Sequence, residues 1–457
     1  MTSFTSFLTT TTLLALAFGG IATSVAAATA EETSNTNWEV LDVNLPTPLS
    51  DNTATYIKST DMIYIAGGCN SPKGNTYVDV DGLELDFFLC ESDSQRLYSF
   101  DGTTFTRMAD MPQPRYRHAA VVAQNKLWLI GGRTIPEDTV IAEVDMYDPL
   151  TNEWTTVGKI PEEYSTSDNG AFTNAGETKV YVVGGYSPTY YNPDALAITF
   201  SFDVEAAVAV AEAEAVVVDL SEKGSDGDLV ITRHADLNTQ RGDIHAVTST
   251  DGKKAYVAGG ASSYPCEPLS SSEVYDIDAD EWTKTDGDLL LARFDHGLVY
   301  AKDGVYAIGG EVSHPQQCAA PELVPPLSAQ SLAVQDVELL LSSSSDAEQQ
   351  QTWEAIIDIP EFRFRFSAEY YPSTETIYAF GGQTSFNDEC KCFPTSDEVT
   401  ALSLSTSSSP TTSTTTTTTT TTNTTNGEEP IDQEVVSTAS SVLFSSMIWI
   451  MIVFALI

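Results

Sequence analysis

Positive charge is scarce in this chain, and half of its ten arginines stand in three short segments. The segments read PRYRHAAVV (114–122), ARFDHGLVY (292–300) and FRFRFSAEY (362–370), and they align as copies of one pattern. Clustered guanidinium groups make paired hydrogen bonds to carboxylate, sulfate or phosphate, so the pattern predicts a site for an acidic ligand. The candidate ligand-binding residues are Arg115, Arg117, His118, Arg293, His296, Arg363 and Arg365.

The elements that position these residues are marked by a glycine pair that occurs six times. The pairs are Gly67-Gly68, Gly131-Gly132, Gly184-Gly185, Gly259-Gly260, Gly309-Gly310 and Gly381-Gly382. Each pair ends a short run rich in β-branched and aromatic residues, such as MIYIAGG or VYVVGG, which is typical of a buried strand. Glycine lets the backbone turn there where a side chain would clash. Recurrence at intervals of 50 to 75 residues indicates a repeat architecture.

Each repeat carries further landmarks on both sides of its glycine pair. A strand of small residues precedes most pairs, and a segment with Tyr and Asp follows, as in LYSFD (97–101) and VYDID (274–278). An aromatic residue comes a few positions later, namely Phe105, Trp154, Trp282 or Trp353. One unit therefore consists of four strands, a to d, in which the glycine pair ends strand b.

This pattern resembles the kelch repeat, and the resemblance covers residues 37 to about 404. It implies an all-β fold, a six-bladed kelch-type β-propeller. Residues 37–43 have the features of a d strand, whereas the sixth unit has no d strand of its own. We therefore expect the N-terminal strand to complete the sixth blade and close the ring. Two surface excursions, 205–228 and 318–352, lengthen the third and fifth units, the first as a long loop or a short helix.

In a propeller, strand a lines the central channel and begins on the face that carries the d–a and b–c loops. The resemblance therefore places the candidate arginines and histidines at the channel mouth on that face. A structural alternative stays open, in which each arginine pairs with an acidic neighbour between blades. In that alternative each histidine is a packed residue at the channel rim.

Every cysteine falls between a glycine pair and the following c strand, which places all of them in b–c loops. They are Cys69, Cys90, Cys266, Cys318, Cys390 and Cys392. An even number in a secreted chain indicates disulfides. We expect Cys266 to pair with Cys318, and the C-x-C pair of the sixth unit to bridge to the two cysteines of the first. The alternative is one local bond in each of those two units, and metal binding by the C-x-C pair is disfavoured because no histidine is near.

The two ends of the chain differ in composition from the repeats. Residues 1–30 contain LLALAF and end in Ala-Thr-Ala, which predicts a secretory signal peptide. Residues 405–441 are largely Ser and Thr, which predicts a disordered, O-glycosylated stalk, and Asn423 stands in an N-glycosylation sequon. Residues 442–457 are apolar, which predicts a GPI signal or a single C-terminal membrane span. The expected location is the extracellular face of the plasma membrane.

The charge balance restricts the partners. The chain has 65 acidic and 21 basic residues, a formal net charge of −44. This argues against nucleic acid, and it leaves the C-terminal anchor as the only expected membrane contact. Asp79, Asp81 and Asp86 surround a glycine and resemble half of a calcium loop, but the later spacing does not match an EF-hand. Apart from weak calcium binding there, we expect no metal and no cofactor.

The lack of recognisable catalytic motifs favours a binding protein over an enzyme. The sequence contains no G-x-S-x-G elbow, no H-E-x-x-H motif and no phosphate loop. We therefore expect an extracellular module that recognises a glycan or a protein through its b–c and d–a loops. Two alternatives remain: a structural wall or adhesion protein, and a sugar-acid mutarotase or isomerase. The latter rests on a resemblance to bacterial sialic-acid mutarotases in propeller size, export and arginine-lined mouth.

Overall fold

The computed structural model describes residues 37–405, except for 75–76, 79–84, 87–89, 137, 188–193, 217–226, 264–266, 303, 313–332 and 342–351. The described strands form six four-stranded antiparallel sheets, together with two short two-stranded ladders. Within each large sheet the strands lie in the order a, b, c, d from one edge to the other. These sheets are the blades of a six-bladed β-propeller, which confirms the predicted fold.

The strands up to the third blade are, in chain order, β1 (Trp38–Asn44), β2 (Thr53–Ile57), β3 (Met62–Ala66), β4 (Tyr77–Val78), β5 (Leu85–Asp86), β6 (Leu97–Phe100), β7 (Phe105–Arg107), β8 (Ala119–Ala123), β9 (Lys126–Ile130), β10 (Arg133–Thr134), β11 (Thr139–Val140), β12 (Glu143–Asp148), β13 (Glu153–Lys159), β14 (Gly170–Thr173), β15 (Lys179–Val183), β16 (Thr199–Asp203) and β17 (Thr232–Arg233). Blade 1 comprises β2, β3, β6 and β7, blade 2 comprises β8, β9, β12 and β13, and blade 3 comprises β14 to β17. The ladders β4–β5 and β10–β11 lie in b–c loops.

The remaining strands are β18 (Val247–Thr248), β19 (Lys254–Ala258), β20 (Ser272–Asp276), β21 (Glu281–Lys284), β22 (Gly297–Ala301), β23 (Gly304–Ile308), β24 (Val337–Leu341), β25 (Trp353–Ala355), β26 (Ser367–Tyr371), β27 (Thr376–Phe380) and β28 (Glu398–Ser403). Blade 4 comprises β18 to β21, blade 5 comprises β22 to β25, and blade 6 comprises β26 to β28 together with β1. A 3-10 turn spans Glu162–Tyr164, and helix α1 spans Val204–Val216.

The core lies between the blades. Residues of the b strands are buried on both faces because each blade is covered by a neighbour on either side, and β23 is buried along its whole length. Between blades 1 and 2, for example, Tyr64 of β3 packs with Leu127 of β9 and Tyr147 of β12. The outer d strands are largely exposed. Six such layers hold the ring together by burial of apolar side chains.

The glycine pairs are needed because neighbouring backbones approach closely at the end of each b strand. Gly67 and Gly68 have φ angles of 63° and 100°. A Cβ on Gly67 would lie 2.5 Å from the carbonyl oxygen of Arg115, which belongs to the connection into the next blade. Both the left-handed backbone and the contact exclude a side chain at this position.

The ring is closed as predicted. Strand β1 pairs antiparallel with β28, with Trp38 opposite Leu402 and Val40 opposite Thr400. Trp38 occupies the place of the d-strand aromatic residue in blade 6, and its indole nitrogen donates to the carbonyl of Ile357 in blade 5 at 3.2 Å. The N-terminal strand therefore joins the last blade to the one before it.

The two excursions differ in part from the prediction. The first contains a helix, because α1 continues directly from β16 and packs Ala207 against the core between blades 2 and 3. The second contains β24, so the c strand of the fifth blade lies inside the segment that we predicted as surface loop. In the described ranges no helix is long and apolar enough to cross a membrane. The predicted signal peptide, Asn423, the apolar tail and all but the first residue of the stalk lie outside the described residues.

Candidate functional site

Arginines at equivalent positions join the blades at four of the six junctions of the ring. They are Arg115, Arg241, Arg293 and Arg363, and each side chain is completely buried. The carbonyl oxygen of each accepts a hydrogen bond from the second glycine of the preceding blade, as between Arg241 and Gly185 at 2.9 Å. The main chain of the arginine is therefore held by the blade before it.

The guanidinium group of each of these arginines extends into the following blade. Arg241 forms an ion pair with Glu273 on strand β20 at 2.7 Å, and both side chains are fully buried. It also donates to the carbonyl oxygens of Gly259 and Ser271, at 2.6 and 2.9 Å. The other three arginines pair in the same way with a carboxylate of the c strand, namely Asp145, Glu338 and Glu398. We call these four residues the strut arginines.

The strut arginines do not form the predicted channel mouth. Arg115, Arg293 and Arg363 lie between blades with no solvent exposure, which is the structural alternative drawn from the sequence. Each guanidinium group is already paired with a carboxylate of the protein, because a buried cation needs a nearby counter-charge. Arg241 was missed because His245 follows it by four residues, whereas His118 and His296 follow their arginines by three.

The two candidate histidines are packing residues in the structure. His118 and His296 are buried, and burial holds the pKa of each imidazole well below its usual range. The Nε2 atom of His118 lies 3.0 Å from the hydroxyl of Thr53. In both cases the imidazole covers the first glycine of the preceding pair, so that a Cβ on Gly67 or Gly259 would lie 2.8 Å from its Cε1 atom. Neutral, enclosed imidazoles of this kind fill space between blades.

The remaining candidates, Arg117 and Arg365, do reach the central axis. They belong to a ring with one residue from each blade, two positions after the strut position, and every member has a φ angle between 51° and 56°. We call it the axial ring; its members are Asp51, Arg117, Asp168, Asp243, Asp295 and Arg365. The main-chain nitrogen of each of five members donates to the carbonyl of a ring neighbour, with distances from 2.7 Å for Asp51 to 3.3 Å for Asp295, whereas Ile244 reaches the Asp168 carbonyl at 3.5 Å. This circle of hydrogen bonds closes one end of the channel.

The axial ring carries four carboxylates but only two guanidinium groups. Arg117 lies 3.2 Å from Asp51 and 3.5 Å from Asp168, and Arg365 lies 2.9 Å from Asp295. Asp243 accepts a hydrogen bond from the hydroxyl of Tyr186 at 2.7 Å. Burial, together with the neighbouring Asp295 and Asp168 carboxylates, raises the pKa of Asp243 well above its usual range.

A second layer of residues, each directly after a glycine pair, covers the axial ring. Glu311 of this layer is completely buried, 3.3 Å from Arg365, and burial raises its pKa well above the usual range. Burial opposes ionisation of Asp295, but the Arg365 guanidinium outweighs it and holds the pKa of this carboxyl below its usual range. Arg133 of the same layer donates to the Ser167 hydroxyl at 2.9 Å. The closed end of the channel is therefore a buried polar network rather than an open anion pocket.

The disulfides differ from the preferred prediction. Cys69 is bonded to Cys90 and Cys390 to Cys392, which is the alternative of one local bond in each unit. The reason is that the b–c loop of blade 1 folds back on itself, which brings the Cα atoms of Cys69 and Cys90 to 5.7 Å. The pairing predicted for Cys266 and Cys318 lies outside the described residues.

The b–c loops of blades 1 and 6 are joined to one another by hydrogen bonds. The hydroxyl of Thr395 donates to the carbonyl of Ser71 at 2.6 Å, and the main-chain nitrogen of Thr395 donates to the carbonyl of Pro72 at 3.3 Å. Below them, Phe364 and Phe386 both pack edge-on against Phe393, with ring centroids 5.4 and 5.3 Å away. We call the surface formed by these two loops, residues 69–74, 90–96 and 383–397, the braced loop face.

The opposite end of the channel is different. A cavity of about 690 Å³ follows the axis between the inner strands and reaches the turns between strands a and b. Among the described residues no group of three or more His, Cys, Asp or Glu side chains is arranged to hold a metal ion. Of the calcium-loop candidates, Asp79 and Asp81 lie outside the described residues.

Comparisons with known proteins agree with the repeat pattern and the propeller. The KLHDC2/KLHL20/DRC7 kelch-repeats domain matches residues 8–206. Beta-scruin of Limulus polyphemus is 36% identical over 19% of this chain and 9% of its own length. Kelch-like protein 38 of Homo sapiens is 37% identical over 15% of this chain and 13% of its own. Kelch-like protein 23 of Homo sapiens is 30% identical over 28% of this chain and 18% of its own.

The matched segments span less than a fifth of those three relatives, so their activities and partners do not transfer to this chain. Among solved structures, that of YjhT covers 78% of this chain and 95% of its own, with a TM-score of 0.54 and 14% identity, which supports the fold alone. A kelch propeller of this kind is typical of a protein-binding module. The six repeats, the six blades and these matches together show a β-propeller built of kelch repeats.

Proposed function

We propose that this chain is an extracellular binding protein that recognises a protein partner through its braced loop face. The observation that carries the proposal is the direct joining of two neighbouring b–c loops, through Thr395 and Ser71, above a packed aromatic base. Each loop also contains a disulfide. A surface that is already ordered before binding loses less conformational entropy when a partner docks.

The partner that this face fits is a basic protein surface. Glu91, Asp388 and Glu389 are exposed on the braced loop face, and the whole chain has a net charge of −44. Lys73 and Lys391 on the same face each pair with an acidic neighbour. A negative surface attracts basic partners and raises their association rate, with a strong dependence on salt.

We favour a protein over an acidic glycan as the partner. The glycan hypothesis depended on guanidinium groups at the channel mouth, and three of the five predicted arginines are buried with carboxylate partners. Arg117 and Arg365 are held in the axial ring by aspartates. Among the exposed residues in the described part of the face, three are acidic (Glu91, Asp388 and Glu389) and one is basic (Lys391). This excess of negative charge disfavours sulfated or carboxylated sugars.

The test is a binding screen of the secreted full-length chain against an array of extracellular proteins, repeated with two charge-reversed variants. Asp388→Lys with Glu389→Lys changes the braced loop face, and Glu153→Lys with Asp278→Lys makes the same change in charge at exposed positions elsewhere on the propeller. We expect basic proteins to bind the native chain and the second variant but not the first. No binding, or equal loss with both variants, would show that the loop face has no specific role.

The proposed location has its own test. The predicted signal peptide and the disulfide Cys69–Cys90 both support export to an oxidising compartment. If the predicted apolar tail is a GPI signal, phosphatidylinositol-specific phospholipase C will release the protein from intact cells. Resistance to the enzyme with retention at the cell surface indicates the alternative, a C-terminal membrane span, and an intracellular pool alone would contradict the proposed location.

A further inference from the structure

The axial cavity is a second site, and it opens at the end of the propeller opposite the braced loop face. Its volume of about 690 Å³ lies within the usual range for sites that enclose a small molecule. Small side chains at equivalent positions of five blades keep it wide: Ala54, Ala120, Ala171, Ala246 and Ala368. Asn125, Glu177 and Thr250 of the a–b turns stand at its open end, and His245 stands near the axial ring.

Glu369 is an unusual residue in the wall of this cavity. The equivalent positions of the other blades carry Thr55, Val121, Phe172, Val247 and Val299, none of which is charged. An ionisable group at a position that otherwise holds apolar side chains or threonine costs free energy unless something compensates its charge. The repeat itself therefore does not account for this carboxylate.

The contacts of Glu369 within the described chain leave its charge without a cationic partner. One carboxylate oxygen accepts the main-chain N–H of Tyr370 at 2.9 Å, and the main-chain N–H of Tyr56 in blade 1 provides a second hydrogen bond. Burial raises the pKa of this carboxyl to about 7, and neither Lys nor Arg is among the described groups that lower it. The same carboxylate still touches the cavity.

We propose that the axial cavity binds a small organic ammonium ion, with the Glu369 carboxylate as its counter-charge. An ammonium group beside this carboxylate would supply the missing positive charge in a partly enclosed site, where ion pairs are stronger than in water. At the open end, the cavity wall includes one basic residue, Lys58, and one acidic residue, Glu177.

The other wall residues indicate that the ligand is polar. Thr173 and Thr248 contribute hydroxyl groups, and Asn125 contributes an amide. The rings of Tyr56 and Tyr300 also line the cavity, and aromatic rings attract cations. Amino sugars and short polyamines both carry the required ammonium group, and they differ in whether hydroxyl groups accompany it.

Isothermal titration calorimetry of the secreted full-length protein at pH 8 tests the proposal with two matched pairs of probes. Putrescine is compared with 1,4-butanediol, and 6-amino-6-deoxyglucose is compared with glucose. We expect both or one of the amines to bind and neither neutral analogue to bind. Stronger binding of the amino sugar identifies a polyol amine, and stronger binding of putrescine identifies a polyamine. If neither amine binds at millimolar concentration, or if the neutral analogues bind equally well, the proposal is overturned by this experiment alone.

Variants of Glu369 separate this site from general attraction of cations to an acidic protein. Glu369→Gln retains the shape of the side chain, and Glu369→Val introduces the residue that blades 2, 4 and 5 carry at this position. We expect at least a tenfold loss of amine affinity in both variants and none in Glu153→Gln, which removes an exposed carboxylate from strand β13. Unchanged affinity in the Glu369 variants overturns the proposal.

The pH dependence gives a further readout. With a pKa of about 7, Glu369 is mostly ionised at pH 8 and mostly protonated at pH 5.5, so amine affinity falls by about 30-fold between them. The other titratable groups that face the cavity are Tyr56, Lys58, Glu177, His245 and Tyr300. Protonation of His245 would weaken amine binding in the same direction, so the comparison is repeated in Glu369→Gln. A fall of equal size in that variant contradicts the assignment to Glu369.

Discussion

Replacing Arg241 by methionine tests whether the strut arginines hold the propeller together. Methionine keeps a similar unbranched stem but removes the guanidinium group, and with it the ion pair to Glu273 and the hydrogen bonds to the carbonyls of Gly259 and Ser271. Both charged side chains are fully buried, so water cannot replace the lost contacts. Removal of one partner from a buried pair costs about 3–5 kcal/mol of unfolding free energy.

Glu273 moderates this cost without abolishing it. Its carboxylate also accepts hydrogen bonds from the main chain and side chain of Asn238 and from the main chain of Thr239, at 2.8 to 3.0 Å. Those donors partly stabilise the charge that Arg241→Met leaves unpaired, which places the expected loss near the lower end of the range, about 3 kcal/mol. The two main-chain carbonyls that lose their donor add to it.

Equilibrium unfolding in urea, followed by tryptophan fluorescence, measures the loss. Arg107→Met is the matched control because Arg107 and Asp110 form an exposed pair, whose loss costs at most about 1 kcal/mol. A double variant with Glu273→Gln should lose less than the sum of the two single variants, because the charge left unpaired by either one is absent. If Arg241→Met were no less stable than the Arg107 control, the strut interpretation would be refuted.

Three further predictions concern the glycine pairs, the closing strand and the carboxyl group of Glu369. Gly185→Ala should destabilise the fold by about 2 kcal/mol or more, because its φ is 85° and its Cβ would clash with a hydroxyl of the preceding connection. Gly176→Ala is the control, since the nearest atom to its Cβ would lie at 3.5 Å, an ordinary contact distance. Equal melting temperatures of the two variants would contradict this prediction. Trp38→Ala should cost about 3–5 kcal/mol by emptying the core between blades 5 and 6. Val40→Ala, on the same strand but half exposed, should change stability by less than about 0.5 kcal/mol, and comparable losses would show that the ring does not depend on this indole. Burial raises the pKa of Glu369 from 4.5 to about 7, so the folded chain holds a proton that the unfolded chain releases, and stability declines as pH rises through this interval. Glu369→Gln should flatten that decline in urea unfolding between pH 4.5 and 8, and an unchanged slope would exclude Glu369 as its source.

The local repeat was predictable because its landmarks are short-range. An apolar run followed by two glycines specifies a buried strand and a turn within about seven residues, and six such signals specify six blades. The closing strand was predictable for the same reason. Trp38 marks a d strand at the start of the repeats, and no a, b and c strands precede it in the sequence to complete its unit. The sequence did not distinguish helix α1 from a loop, because the apolar residues of this segment do not follow a clear helical period.

The roles of individual side chains depended on how the blades meet. Arg115 and Arg117 stand two residues apart in one segment, yet the first is buried beside Asp145 and the second reaches the axis beside Asp51. The local sequence does not reveal this difference. The difference arises from the left-handed backbone at Arg117 and from carboxylates that other parts of the chain supply. Cysteine pairing likewise followed the path of the b–c loop of blade 1, which the positions of the cysteines alone do not specify.

The sequence alone therefore determined the repeat, the number of blades and the way the ring closes, because each follows from local patterns of apolar residues and glycine. Only the tertiary structure decided which charges are buried as struts, which form the axial ring, and which face an open cavity. Glu369 shows the reason. Its position in a strand is readable from the repeat, but whether a cation lies beside it depends on side chains from neighbouring blades, and among the described residues none does.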